Sequence, residues 1–203
     1  MRSSATLALA VWLAGTPPAV AQTTPLPGVE LVERVVAVVD GRPLLLSDVR
    51  ALQAVRGLDE ARAREAAIDE RLMYLEATRL PQAEVHPEEE EEQLATFRAT
   101  EPGKAAEVNQ ADLRRLVVRQ IAIFKYVEFR FRPQVRVPDE EVRRVWEEEQ
   151  AGRPAGPALE DEQEAIRARL ERRALDERIE TWVKELRARI DVRYVEAGPP
   201  PVR

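Results

Sequence analysis

The chain has 203 residues, of which 44% are hydrophobic, 33% charged and 5% aromatic. This composition is typical of a folded domain with a highly charged surface, and the formal net charge of -6 disfavours nucleic acid as a partner. There is no cysteine and one histidine, so thiol nucleophiles and thiolate metal ligands are excluded. The sequence also has no glycine-rich phosphate loop, and we expect neither a metal nor a cofactor.

Residues 1–21 have the features of an export signal. Arg2 is followed by the apolar run Leu7–Ala14 and then by the small residues Ala19-Val20-Ala21, which form an A-x-A cleavage pattern. We expect cleavage after Ala21 and a periplasmic location. The alternative is a membrane anchor, but the apolar run is too short to span a bilayer. No later stretch is long enough either, so no membrane insertion is expected after cleavage.

A β-hairpin is predicted after residues 22–30, which we expect to be a disordered lead-in. Val35–Val39 is rich in β-branched residues, and Asp40-Gly41 is typical of a type I′ turn between two apolar strands. Pro43 has no amide hydrogen to donate, so the second strand should lie at an edge of its sheet.

Helices are predicted from caps, prolines and apolar spacing. They are expected to begin near Ser47, Asp59, Pro87, Asn109 and Pro138. Gly57 should end the first of them. The acidic run Glu88–Glu92 suits the positive first turn of its helix and is interpreted as dipole compensation, with His86 as a surface capping residue.

The helix that begins at Asn109 carries two apolar stripes. The first consists of Leu113, Leu116, Val117, Ile121 and Phe124, and the second of Val118, Ile123, Tyr126 and Phe129. Together they cover more than one narrow face, so this helix is either central to the core or partly offered to a partner.

Residues 151–158 form a linker rich in glycine and proline, and a long helix, Leu159–Arg189, is predicted after it. Ile190–Val195 alternates with period two, which predicts a final strand. A lone strand would leave its backbone unpaired, so we expect it to join the N-terminal hairpin. The predicted fold class is mainly α with a small antiparallel sheet, from which helical arms project to form a cradle.

The order of these elements resembles that of SurA-type periplasmic chaperones. The similarity is carried by the hairpin and its Ser47-Asp48 continuation, by Ala67–Leu72, by Val85–Glu90 and by Val135–Val142. It covers residues 31–150, similar to the N-terminal module of the family, and residues 159–196, similar to its C-terminal helix and strand. In the family a parvulin prolyl-isomerase domain usually separates these parts, and here the linker stands in its place. Residues 197–203 are expected to be a disordered tail.

The resemblance implies an ATP-independent chaperone that binds unfolded exported proteins, outer-membrane protein precursors among them, and that is not an enzyme. The residues expected to bind these clients are Ile123, Tyr126, Phe129, Phe131 and Trp146, although the same residues could equally belong to the core. Two alternatives stay open. The protein could be a cell-envelope adaptor that binds one folded partner, or it could retain some prolyl-isomerase activity. The sequence does not indicate an oligomeric state.

Overall fold

The structure is a computed structural model, and it describes residues 33–100, 108–151 and 158–195, except for the side chain of Thr100. The predicted signal peptide, the lead-in, most of the linker and the C-terminal tail lie outside these described residues.

The strands form one antiparallel sheet. Strand β1 is Val35–Val39, β2 is Arg42–Leu45 and β3 is Val192–Tyr194, and their order in the sheet is β2-β1-β3. Val38 pairs with Pro43 on one side and with Arg193 on the other. The C-terminal strand therefore joins the N-terminal hairpin, and the expected pairing of these distant segments is confirmed.

The turn of the hairpin has the predicted backbone conformation. Asp40 and Gly41 have φ angles of 51° and 73°, which is the left-handed region that a type I′ turn requires at both central positions. The amide of Asp40 also donates to the carbonyl oxygen of Asp191 at 3.0 Å, which ties the turn to the chain just before β3. Strand β2, which contains Pro43, lies at an edge as expected.

The helices have bounds close to those expected. They are α1 Leu46–Arg56, α2 Glu60–Ala77, α3 Pro87–Thr100, α4 Gln110–Arg130, α5 Asp139–Gln150 and α6 Leu159–Arg189. Short 3-10 turns at Pro81–Ala83 and Arg132–Gln134 follow α2 and α4.

Three of the predicted helix ends are confirmed by their geometry. The side chain of Asp59 accepts from the amide of Arg62 at 2.8 Å, and the side chain of Asn109 accepts from the amide of Ala111 at the same distance. Gly57, with a φ of 65°, ends α1 in the left-handed conformation.

The expected cap at Ser47 is wrong. Helix α1 already begins at Leu46, and Leu45 occupies the capping position. The cause is a substitute acceptor, since the amide of Leu45 donates to the carboxylate of Asp48 at 3.4 Å. The amide of Ser47 donates instead to the carboxylate of Glu33 at 3.1 Å, so two acidic side chains satisfy the start of this helix.

The main core lies between the sheet and helices α1, α2, α4 and α6. Helix α3 packs on α4, and α5 packs on α6. Leu94, Leu113 and Val117 form a separate small cluster between α3 and α4. Among the described residues the fold is thus mainly helical with a small antiparallel sheet, as expected, and it includes two helical hairpins. The arrangement of these hairpins as a cradle stays a prediction.

Candidate functional site

A groove of about 620 Å³ lies between α1, α3 and α4. Its apolar lining consists of Leu52, Val55, Phe97, Leu116, Val117, Ile121 and Phe124. Such a volume falls within the range of about 300–1,000 Å³ that is usual for ligand sites in proteins. The groove is therefore a candidate binding site in the described part of the chain.

The burial of the lining increases from the edge of the groove to its floor. Leu116 and Val117 are buried, Phe97 and Ile121 are half-buried, and Phe124 keeps 61% of its surface exposed. Val117, Ile121 and Phe124 are four and three residues apart on α4, so they lie on one face of that helix. A phenylalanine this exposed beside an apolar floor offers a surface that an apolar ligand would cover.

An ion pair between α3 and α4 lines one end of the groove. The ammonium group of Lys125 donates to the two carboxylate oxygens of Glu89 at 2.8 and 2.9 Å, and to the carbonyl oxygen of Glu84 at 2.5 Å. Glu89 also accepts from the amide of His86 at 2.9 Å, which makes Glu89 the side-chain cap at the start of α3. The hydrogen bond from the His86 amide, and to a lesser degree the hydrogen bond from Lys125, lower the pKa of Glu89. His86 is exposed at a helix start, as expected.

Two further charged side chains line the groove. Arg56 extends from the end of α1 and Glu92 from the middle of α3. Neither forms an ion pair with any residue that the structure describes. The groove therefore has a cation on one wall and an anion on the other, both unpaired within the described ranges, and an apolar floor.

A buried ionic network lies next to the groove. Asp48 on α1, Glu70 on α2 and Arg119 on α4 are 3%, 2% and 6% exposed. Arg119 donates to Glu70 at 2.6 Å and contacts Asp48 at 3.0 Å, and Arg71 contacts the other oxygen of Asp48 at 3.1 Å. Two carboxylates face two guanidinium groups, so the four formal charges cancel and the three helices are held together.

The side-chain amide of Gln120 connects the network to the groove. Gln120 lines the groove and donates to Glu70 at 2.5 Å. The contact between Asp48 and Arg119 is close enough for an ion pair, but that oxygen of Asp48 is not aligned for a hydrogen bond. Of the two contacts that Arg119 makes, the one to Glu70 therefore has the better hydrogen-bond geometry.

The client-binding residues expected from the sequence lie elsewhere, and none of them lines the groove. Tyr126 and Phe131 are buried in the core, where the ring of Tyr126 stacks on that of Trp182 with centroids 4.7 Å apart. Phe131 meets the same indole edge-on at 5.2 Å. These two rings are therefore structural parts of the core in this structure.

The remaining three expected residues are placed differently. Ile123 is half-buried against the main core, and Trp146 is half-buried on α5. Phe129 is 53% exposed, which makes it the one member of the set with a largely open side chain. The structure does not bring these residues together into one site.

Sequence reasoning missed Val55 and Phe97, and it assigned Ile121 and Phe124 to a stripe without giving them a binding role. The spacing of Leu94 and Phe97 on α3 was visible as a short apolar face. Which members of the two stripes of α4 are buried was not visible, because both stripes contribute to the core, Leu116 from the first and Tyr126 from the second.

Among the described residues, no cluster of histidine and carboxylate side chains is arranged to hold a metal ion. No helix in the described ranges has the length and apolarity to cross a membrane. No family model matches the chain, and no curated protein matches it either.

Proposed function

We propose that this protein is an ATP-independent chaperone of the bacterial periplasm that holds unfolded polypeptides in the groove between α1, α3 and α4. The observation that carries the proposal is the apolar groove with Phe124 exposed at its edge. The export signal predicted from the sequence and the resemblance to SurA-type chaperones support the location and the class of client.

The size of the apolar surface suits a holding function. Burying one large apolar side chain contributes about 1.5–3 kcal/mol before the cost of ordering the bound segment is subtracted. A groove that accepts one or two such side chains therefore binds weakly and releases without ATP. Unfolded precursors would be kept from aggregating without being trapped.

Two variants of one helix test this proposal. Phe124 and Phe129 are both exposed phenylalanines on α4, and only Phe124 lines the groove. The mature chain, residues 22–203, is added to a denatured outer-membrane protein as the denaturant is diluted, and aggregation is followed by light scattering. We expect wild-type protein and the Phe129→Ser variant to suppress aggregation equally, and the Phe124→Ser variant to lose most of the suppression.

The outcomes that contradict the proposal are equally clear. No suppression by wild-type protein at a severalfold molar excess rules out the holding function. If Phe129→Ser weakens suppression and Phe124→Ser does not, the binding surface is the one expected from the sequence. A pull-down from envelope extract that recovers one stoichiometric folded partner would favour the adaptor, and turnover of a proline peptide would favour an isomerase.

A further inference from the structure

The charges on the walls of the groove restrict what can bind to it. Lys125 and Glu89 neutralise each other at one end. Arg56 on α1 and Glu92 on α3 have no partner among the described residues, and the apolar floor lies between them. A ligand that buries an apolar side chain on that floor brings its neighbouring residues close to both unpaired charges.

The length of the groove indicates a short segment of chain as the occupant. Its wall on α3 extends from Glu89 to Phe97, which is about 12 Å of helix at 1.5 Å per residue. Three or four residues of extended polypeptide cover that distance. A folded partner or a second copy of this chain would need about 800 Å² of contact surface on each side, which a groove of this length does not supply by itself.

We propose that the groove prefers polypeptide segments in which a large apolar side chain stands between an acidic and a basic residue. The acidic residue of the segment lies near Arg56, the basic residue near Glu92, and the apolar side chain lies against Phe97, Ile121 and Phe124. This preference rests on the proposed chaperone function and defines its clients more narrowly. Segments with two like charges place one of them beside a like charge on the wall.

The expected effect is modest because both wall charges are exposed. An ion pair in such a position changes an affinity by roughly two- to five-fold, and salt screens it. We therefore expect the preference to appear at 50 mM NaCl and to fade at 1 M NaCl. The apolar contribution, by contrast, persists at high salt.

The test uses fluorescein-labelled nonapeptides with one central phenylalanine, and fluorescence anisotropy as the measurement of binding. The flanking positions, two residues before and after the phenylalanine, carry aspartate and lysine in either order, two aspartates, two lysines or two serines. We expect wild-type protein to bind the better of the two mixed peptides about two- to five-fold more tightly than either like-charged peptide. The serine peptide should fall between them.

Charge reversals on the walls should exchange the preferences. Arg56→Glu makes the unpaired charges of the groove acidic and should shift its preference to the two-lysine peptide, whereas Glu92→Lys should shift it to the two-aspartate peptide. Arg50→Glu and Glu185→Lys are matched controls, because both residues are exposed, unpaired among the described residues and outside the groove lining. They should leave the order of affinities as in wild type, and circular dichroism melting checks that all four variants fold.

Each result supports or overturns the charge preference. Equal binding of all peptides by wild type overturns it, as does a shift that the control variants reproduce. Suppose that wild type binds all peptides equally, yet suppresses aggregation in a way that Phe124→Ser weakens. In that case the holding function stands and the charge preference fails. If no peptide binds and no aggregation is suppressed, both proposals fail together.

Discussion

Replacing Arg119 with methionine should strongly destabilise the protein. Arg119 is 6% exposed, and its guanidinium group lies 2.6 Å from a carboxylate oxygen of Glu70 and 3.0 Å from one of Asp48. Methionine fills much of the same volume but leaves both carboxylates without this cation. Arg71 still contacts Asp48, so the larger loss falls on Glu70, which among the described residues keeps the hydrogen bond from Gln120 and a longer-range interaction with Arg71.

The magnitude follows from the cost of leaving a charge buried and unpaired. Removing one member of a buried ion pair typically costs about 3–5 kcal/mol. Small domains unfold with a free energy of about 5–15 kcal/mol, so Arg119→Met should remove a large part of the stability. Urea unfolding followed by circular dichroism measures the change as a shift in midpoint. Arg114→Met, which removes exposed pairs with Glu90 and Glu91, is the control and should shift the midpoint far less.

A second substitution tests the physical reason. If the cost arises from the buried charge of Glu70, then Glu70→Gln in the Arg119→Met background should restore part of the lost stability, since a neutral amide is cheaper to bury than a carboxylate. A loss below about 1 kcal/mol for Arg119→Met, or no recovery in the double variant, would refute the reasoning.

Three further outcomes are expected from the fold. Trp182→Ala should lower the free energy of unfolding by about 3–5 kcal/mol in the same urea experiment, because the indole packs against two core rings, and an unchanged midpoint would contradict this. Gly41→Ala should cost about 1–2 kcal/mol from backbone strain alone, because an added methyl group meets no atom within 4 Å, and a neutral result would argue against the left-handed turn. The pKa of Glu89 is lowered from 4.5 in the folded protein. The contribution of Glu89 to the free energy of unfolding should therefore be present above pH 4.5 and be lost as the pH falls through the folded pKa. The difference in melting temperature between wild type and Glu89→Gln should therefore be found at pH 7 and shrink toward pH 3, and a difference that stays constant would contradict the assignment.

Local signals in the sequence were sufficient for most of the fold. Asp40-Gly41, Asp59, Asn109 and Gly57 each act within a few residues, so their hairpin, cap and helix-end roles are legible without tertiary information. The pairing of β1 with β3 was also predictable, because an isolated strand needs a partner. The cap at Ser47 failed because Glu33 and Asp48, which are acidic side chains nearby, supplied the acceptors.

The candidate site could not be read from the sequence in the same way. Both stripes of α4 contain apolar and aromatic residues at helical spacing, and propensity does not distinguish the members that pack in the core, such as Leu116 and Tyr126, from those that stay exposed, such as Phe124 and Phe129. For Tyr126 the stack on Trp182 decides the burial, and this contact joins residues 56 positions apart. The ionic network was hidden for a related reason. In the sequence nothing distinguishes the charges of Asp48, Glu70 and Arg119 from surface charges. They are buried only because three helices pack around them.

Cross-linking from the edge of the groove tests the central claim most directly. A photoreactive phenylalanine analogue is placed at Phe124 in one preparation and at Phe129 in another, and each is irradiated with an unfolded outer-membrane protein. We expect covalent adducts with the client from position 124, reduced by an excess of an unlabelled apolar peptide, and few from position 129. Equal adducts from both positions, or adducts from position 129 alone, would contradict a binding site between α1, α3 and α4.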